Sequence, residues 1–267
     1  MTRTSVVVLA GLMLLSTACV IAVVERSSEG RSWPIQSEYR ETMDLKSGGV
    51  IILENSEGDI AISGWDEELV DITASRRREL PPSAGLYFLG KRFSPPHIQT
   101  QRTGESIKIR TDVEDSKDGN IVHYILKVPR SVRLDRVSNG GGDILISNLY
   151  GDAVVAAQEG RVAIENFSGS LDIQLESGNV EAELLDLRPG DKIRIRVEQG
   201  DIVVFLEPGI AGRFSLESPA GGISSEIDLN QPLPAREVSS TTGDGGVSLE
   251  LTALRGDIKI RKVEGLP

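Results

Sequence analysis

One cysteine, Cys19, stands in 267 residues, which excludes an intrachain disulfide and any multi-cysteine metal centre. Histidine is nearly as scarce. His97 and His123 are the only two, and neither lies in an H-x-x-x-H or H-E-x-x-H pattern, so no zinc site is expected. Aromatic residues make up 4% of the chain, so its core must be aliphatic. Basic residues are in deficit, with a net charge of −11, and a protein that neutralises phosphates needs a basic face; nucleic acid is therefore not an expected partner. Beyond residue 24 there is no long apolar run. What the chain has instead is 28 glycines and 12 prolines among plentiful Ile, Val and Leu, a composition that suits many short strands joined by tight turns.

Residues 1–24 differ from all that follows. After Arg3 comes "SVVVLAGLMLLSTACVIAVV", residues 5–24, and a helix of about 20 apolar residues matches the thickness of a bilayer. The segment reads as an export signal with three outcomes. "LSTAC" resembles a lipobox that would place lipid on Cys19; the run could be retained as a membrane anchor; or it could be cleaved, for example after Ala18. Each predicts an exported chain held at, or released from, the membrane through its N-terminus. Residues 25–38 read as a stalk.

The main chain-wide signal is a glycine that returns every nine residues at Gly142, Gly151, Gly160, Gly169 and Gly178. Apolar or small residues stand two and four places after each: Ile144 and Ile146, Ala153 and Val155, Val162 and Ile164, Leu171 and Ile173, Val180 and Ala182. Alternation at period two marks a strand with one buried face. "SNLYG" at 147–151 is echoed by "ENFSG" at 165–169, so two strands make one unit. Strands this short bury their inner face only by stacking coil on coil, which predicts an all-β solenoid over 138–262 of about six coils at about 20 residues each. The glycines are expected to supply positive φ at the corners, and the Asp or Asn that follows several of them to close the turn. Asn148 and Asn166 are either turn caps or an inward ladder; the turn propensity of asparagine favours the cap.

Residues 39–137 carry relatives of the same unit, such as "GDIAIS" at 58–63. They are interrupted at 79–97 by a Pro-rich loop in which Tyr87, Phe88 and Phe93 stand with Lys91 and Arg92. This loop lies in the one basic stretch of the chain, Arg76 to Arg110, which is net +6. Arg76, Arg77, Arg78, Tyr87, Phe88, Lys91, Arg92 and Phe93 are therefore the expected contact surface for anionic headgroups or acidic polysaccharide. Trp65 is expected to pack over the "SGWDE" turn rather than to stack on a sugar.

The stretches "GDIAISGWDEELVDITA" (58–74), "VHYILKVPRSVRL" (122–134) and "SNGGGDILISNLYGDAVVAAQEGRVAIENFSGSLDIQLESGNVEAEL" (138–184) resemble the bacterial putative-adhesin family of exported β-strand repeat proteins. The resemblance runs from about Tyr39 to Lys262. It implies a β-helix-like architecture, export, no catalytic residues and no cofactor.

Calcium-binding nine-residue repeats need G-G-x-G-x-D recurring, whereas only "NGGGDI" approaches that here and Arg161 stands where a ligand would be. A polysaccharide-active enzyme on a β-helix would need a substrate cleft built by long loops, which these coils lack. The sequence therefore predicts a non-catalytic, metal-free binding or scaffold module of the cell envelope, its partner a glycan or another protein. A carbohydrate-active enzyme and the outer part of a membrane-tethered sensor are the alternatives.

Overall fold

A computed structural model describes residues 21–22, 36–78, 97–111 and 120–263. In chain order its strands are β1 (Ile21–Ala22), β2 (Gln36–Asp44), β3 (Val50–Asn55), β4 (Ile60–Trp65), β5 (Leu69–Arg78), β6 (Ile98–Thr103), β7 (Ser106–Thr111), β8 (Asn120–Pro129), β9 (Arg133–Gly141), β10 (Ile144–Leu149) and β11 (Ala153–Glu159). They continue with β12 (Val162–Phe167), β13 (Leu171–Ser177), β14 (Val180–Leu184), β15 (Lys192–Gln199), β16 (Ile202–Leu206), β17 (Gly212–Glu217), β18 (Ile223–Ser225), β19 (Glu237–Thr242), β20 (Val247–Ala253) and β21 (Ile258–Lys262). No helix occurs among the described residues.

Two sheets hold these strands. One runs β1-β2-β5-β8-β4-β10-β12-β14-β16-β21-β18 and the other β19-β17-β20-β15-β13-β11-β9-β3-β7-β6. From β7 to β19 successive strands alternate between the sheets, so a coil is one strand from each, and matching strands of adjacent coils pair in parallel, as Val155 with Ile173 and Ile164 with Ala182. Eight coils are stacked in this way, a rod of about 34 Å at about 4.8 Å per step. The solenoid is longer than the repeat alone indicates, because β3–β4 and β7–β8 are coils of the same stack; a boundary at 137/138 would cut β9. Stack order also departs from chain order at both ends. The β3–β4 coil sits between β7–β8 and β9–β10, and the β20–β21 coil sits between β15–β16 and β17–β18.

The alternation does what its period requires. Ile60, Ile144, Val162, Val180, Ile202 and Ile258 line up inward from one sheet, and Leu134, Ala153, Leu171, Ile193 and Leu249 from the other, all at most 1% exposed. Burying each larger side chain contributes about 1.5–3 kcal/mol. Gly142, Gly160 and Gly178 stack in one corner column and Gly151 and Gly169 in the opposite one. In the first column a Cβ on Gly178 would fall 1.8 Å from the carbonyl oxygen of Gly160. The glycine is thus required by the approach of coil to coil as well as by its φ of +134°. Gly151 is the exception to the expected positive φ; its Cβ is excluded by the Val132 carbonyl at 2.3 Å.

The residues after the glycines also work between coils rather than within a turn. Asp59 Oδ1 accepts from the Asp143 amide at 3.0 Å, Asp143 Oδ1 from the Arg161 amide at 2.8 Å, Asn179 Oδ1 from the Asp201 amide at 2.9 Å and Asp201 Oδ1 from the Asp257 amide at 2.8 Å. Asn148 and Asn166 hold the turn, as the cap reading expects, and their side chains also bond to each other, half-buried at the corner and not inward. Each has a left-handed φ, +56° and +48°, and Asn166 Nδ2 donates to Asn148 Oδ1 at 2.8 Å. Stack ends are covered rather than left as open apolar edges. β2, β5 and β6 pair antiparallel at one end, while β19 and the buried Ile227 and Leu229 close the other.

Candidate functional site

Along the outer face of the ten-stranded sheet the residues between the buried positions point to solvent. On β11 these are Val154, Ala156 and Gln158, on β13 Gln174 and Glu176, and on β15 Arg194, Arg196 and Glu198. A register shift in β9 alters this alternation. Leu134 pairs with Ala153 but Val137 pairs with Val155, so one extra residue is accommodated. The bulge leaves both Asp135 and Arg136 exposed and returns Val137 to the core.

The outcome is an open groove of about 670 Å³. Its floor consists of small residues on adjacent strands, Ser138, Gly140 and Ala156; Glu54, Arg110 and Arg136 stand at one end and Gln174, Glu176, Arg196 and Glu198 at the other. Glu54 is engaged by Lys108 at 3.1 Å and Arg110 at 3.7 Å. Arg136, Arg196, Glu176, Glu198, Gln158 and Gln174 make no side-chain hydrogen bond or ion pair among the described residues.

Under one edge of the groove the core turns polar. Thr111 Oγ1 donates to Asn55 Oδ1 at 2.9 Å and meets the Tyr124 hydroxyl at 2.8 Å, and Asn55 Nδ2 donates to the Val122 carbonyl at 3.0 Å. One rung on, Asn139 Nδ2 donates to the carbonyls of Gly58 at 2.9 Å, Gly141 at 3.0 Å and Gly142 at 3.2 Å. Three carbonyl acceptors fix which end of the amide is NH₂. Asn139 Oδ1 is thereby left without a partner on a residue only 3% exposed that lines the groove. Both asparagines stand three residues before a corner glycine, in "NSEG" and "NGGG". That spacing is a signal in the sequence which the turn-forming habit of asparagine and glycine masks.

The basic stretch Arg76 to Arg110 does not form one surface. Arg76 continues the inward series Val70, Ile72, Ala74 on β5 and its side chain is 7% exposed, which corrects the expectation that it offers a guanidinium to a partner. Burial lowers its affinity for the proton, and Tyr124 and Tyr39 beside it partly restore it. Burial likewise pushes the hydroxyl of Tyr124 up to about 12, and burial together with a hydrogen bond to Glu41 does the same for Tyr39. Arg77 and Arg78 lie in β5 with side chains outside the described residues. Cys19, Tyr87, Phe88, Lys91, Arg92 and Phe93 are outside them altogether. Lys108 and Arg110 stand on the outer face of the ten-stranded sheet, at the groove.

Trp65 covers its turn as expected, its Nε1 donating to the Leu69 carbonyl at 2.8 Å and its ring lying 5.6 Å from Lys127 Nζ. Beside it Arg130 Nε meets Asp66 at 2.6 Å, and this hydrogen bond holds the Asp66 carboxyl below its ordinary range. No group of three or more metal-ligating side chains is present among the described residues.

Compared with known proteins, residues 43–261 match the family model described as Toastrack DUF4097. No curated protein matches the chain in sequence. Among solved structures, a putative cell adhesion protein from Clostridium sporogenes is similar at 13% identity, with 84% of this chain and 99% of that one covered and a TM-score of 0.47. A putative adhesin from Bacteroides fragilis follows at 12% identity, with 85% and 97% covered and a TM-score of 0.31. A putative lipid binding protein from Parabacteroides distasonis is similar at 10% identity, with 85% and 97% covered and a TM-score of 0.23.

Proposed function

The chain belongs to this Toastrack family of all-β proteins, and from that premise we propose that it is a non-catalytic binding module of the cell envelope, exported and held at the membrane by its N-terminal segment. The observation that carries the reading is the groove. It crosses β7, β3, β9, β11, β13 and β15, a length of about 24 Å at the usual strand spacing, and its floor is a rigid sheet. Polar side chains without partners along such a floor are open to an extended ligand, and the sheet that carries them is already ordered before binding. The tether rests on the apolar run 5–24 and on Cys19 as the lipid attachment point.

Ala156→Trp tests the reading by standing an indole on the groove floor, at an exposed strand position where a surface change usually shifts stability by no more than about 0.5 kcal/mol. The wild type is expected to retain one or more members of a panel of soluble envelope polysaccharides and the variant to lose them, with polymer length unchanged after incubation. Equal retention by the variant would remove the groove from the function. Shortened polymer would move the protein to the enzymes.

A further inference from the structure

We propose that the ligand of the groove is a carboxylated glycan, bound with a carboxylate on Arg136 and sugar hydroxyls on Gln158, Gln174 and Glu176; this rests on the groove being the binding surface.

A polypeptide fits poorly. Extended peptides are held chiefly by main-chain bonds to a free sheet edge, and β3, β9, β11, β13 and β15 each have a neighbour on both sides, so the amides beneath the groove are already paired. Nor does the floor offer side-chain pockets, being Ser138, Gly140 and Ala156. A glycan needs neither. Its hydroxyls bond to side chains, and amides that both donate and accept suit them.

The charges are polarised along the groove. At the end formed by β7, β3 and β9, Lys108 and Arg110 both engage Glu54 and leave that end net positive, and Arg136 has a guanidinium uncommitted among the described residues. Such a fork binds a carboxylate in a bidentate manner. Three strands away, about 14 Å, Arg196 is accompanied by Glu176 and Glu198, so that end is not a second anion site. Carboxylate side chains accept sugar hydroxyls well, which assigns the polyhydroxy part of the ligand there. Among the described residues no aromatic side chain lines the groove to stack on a neutral sugar ring, so the charged contact supplies what stacking would otherwise give.

The test is a titration of the whole exported chain with a short oligogalacturonate, with its carboxyl-reduced neutral counterpart and with polyglutamate as a non-sugar polyanion. The wild type should bind oligogalacturonate about tenfold or more tighter than either control, the usual loss for one charge-assisted contact, and added salt should narrow the difference. Arg136→Ser, an exposed change, should reduce oligogalacturonate binding to the level of the neutral chain without altering the melting temperature. Equal binding of the neutral chain, equal binding of polyglutamate, full binding by Arg136→Ser, or no binding of oligogalacturonate would each overturn the inference. If Ala156→Trp loses a panel glycan while Arg136→Ser keeps it, the groove stands and the carboxylate contact falls; if Ala156→Trp keeps it, both fall.

Discussion

Gly178→Ala should be one of the most damaging single-methyl changes available to this chain. The new Cβ would lie 1.8 Å from the Gly160 carbonyl oxygen, where ordinary contact begins at 3.4 Å, so the corner has to open by more than an ångström. Two bonds depend on that corner: Gly178 N to the Gln199 carbonyl at 2.8 Å and Val162 N to the Asn179 carbonyl at 2.9 Å. Losing both costs about 2 kcal/mol, and holding alanine at a φ of +134° adds about 1–2 kcal/mol. The expected destabilisation is therefore about 3–4 kcal/mol. Gly190→Ala is the control, since its φ is +104° but nothing lies within 4 Å of its Cβ; strain alone should cost about 1–2 kcal/mol. Urea unfolding followed by far-ultraviolet circular dichroism gives both values from the midpoint at constant slope. If the two substitutions cost the same, the stacked-carbonyl argument is wrong and only backbone conformation matters.

Raising the pH should destabilise the end of the stack formed by β2, β5 and β8. Tyr124, 1% exposed, has its hydroxyl raised from 10.0 to about 12 by burial, so its contribution is whole below pH 10 and is lost as pH rises toward 12. Two units correspond to about 2–3 kcal/mol, and a tyrosinate absorbance titration that gives an ordinary value for Tyr124, identified by its loss in Tyr124→Phe, would refute this. Asp201→Ala should cost about 1 kcal/mol by leaving the Asp257 amide without its acceptor, whereas Asp201→Asn should unfold at nearly the wild-type urea concentration; equal loss in both would assign the effect to charge. Arg76→Ser should lower stability by about 1–3 kcal/mol because the side chain is buried beside Tyr39 and Tyr124. An unchanged melting curve would return Arg76 to the surface.

The repeat was legible because each of its parts follows a strict rule. Period two places Val155, Ile164 and Ile173 inside, and a corner where carbonyls of successive coils nearly touch admits only glycine at Gly160 and Gly178. What the pattern does not encode is which coil sits beside which. Any β-coil of this kind presents the same aliphatic inner face, so β20–β21 can pair with β15–β16 as readily as β17–β18 could, and local sequence gives no preference. Arg76 was misplaced for a related reason. In "DITASRRRE" a charge run outweighs the alternation that carries Ile72 and Ala74 inward, yet β5 keeps its phase to the end. The groove was hidden because it consists of small residues, Ser138, Gly140 and Ala156, that align only after stacking, together with a bulge at Asp135 that no propensity marks.

The order of the coils bears on the groove as much as on the ends. Stacked in chain order, β7 would lie between β3 and β9, and Arg110 would stand next to Ser138 with Glu54 outermost. In the observed order β3 is in the middle, and Glu54 faces Arg110 on one side and Ser138 on the other. Glu54 can then draw Lys108 and Arg110 to itself and away from the floor. Arg136 becomes the one uncommitted cation at that end among the described residues, and the bulge that exposes it pairs across β3 and β11 at the same point. The intercalated coil thus sets Lys108 and Arg110 against Glu54 and leaves Arg136 free for an anion on a wall that stays net positive. A rearrangement that restored chain order would leave the core nearly unchanged, since the inner faces are alike, but would redistribute the charges on which recognition in this groove depends.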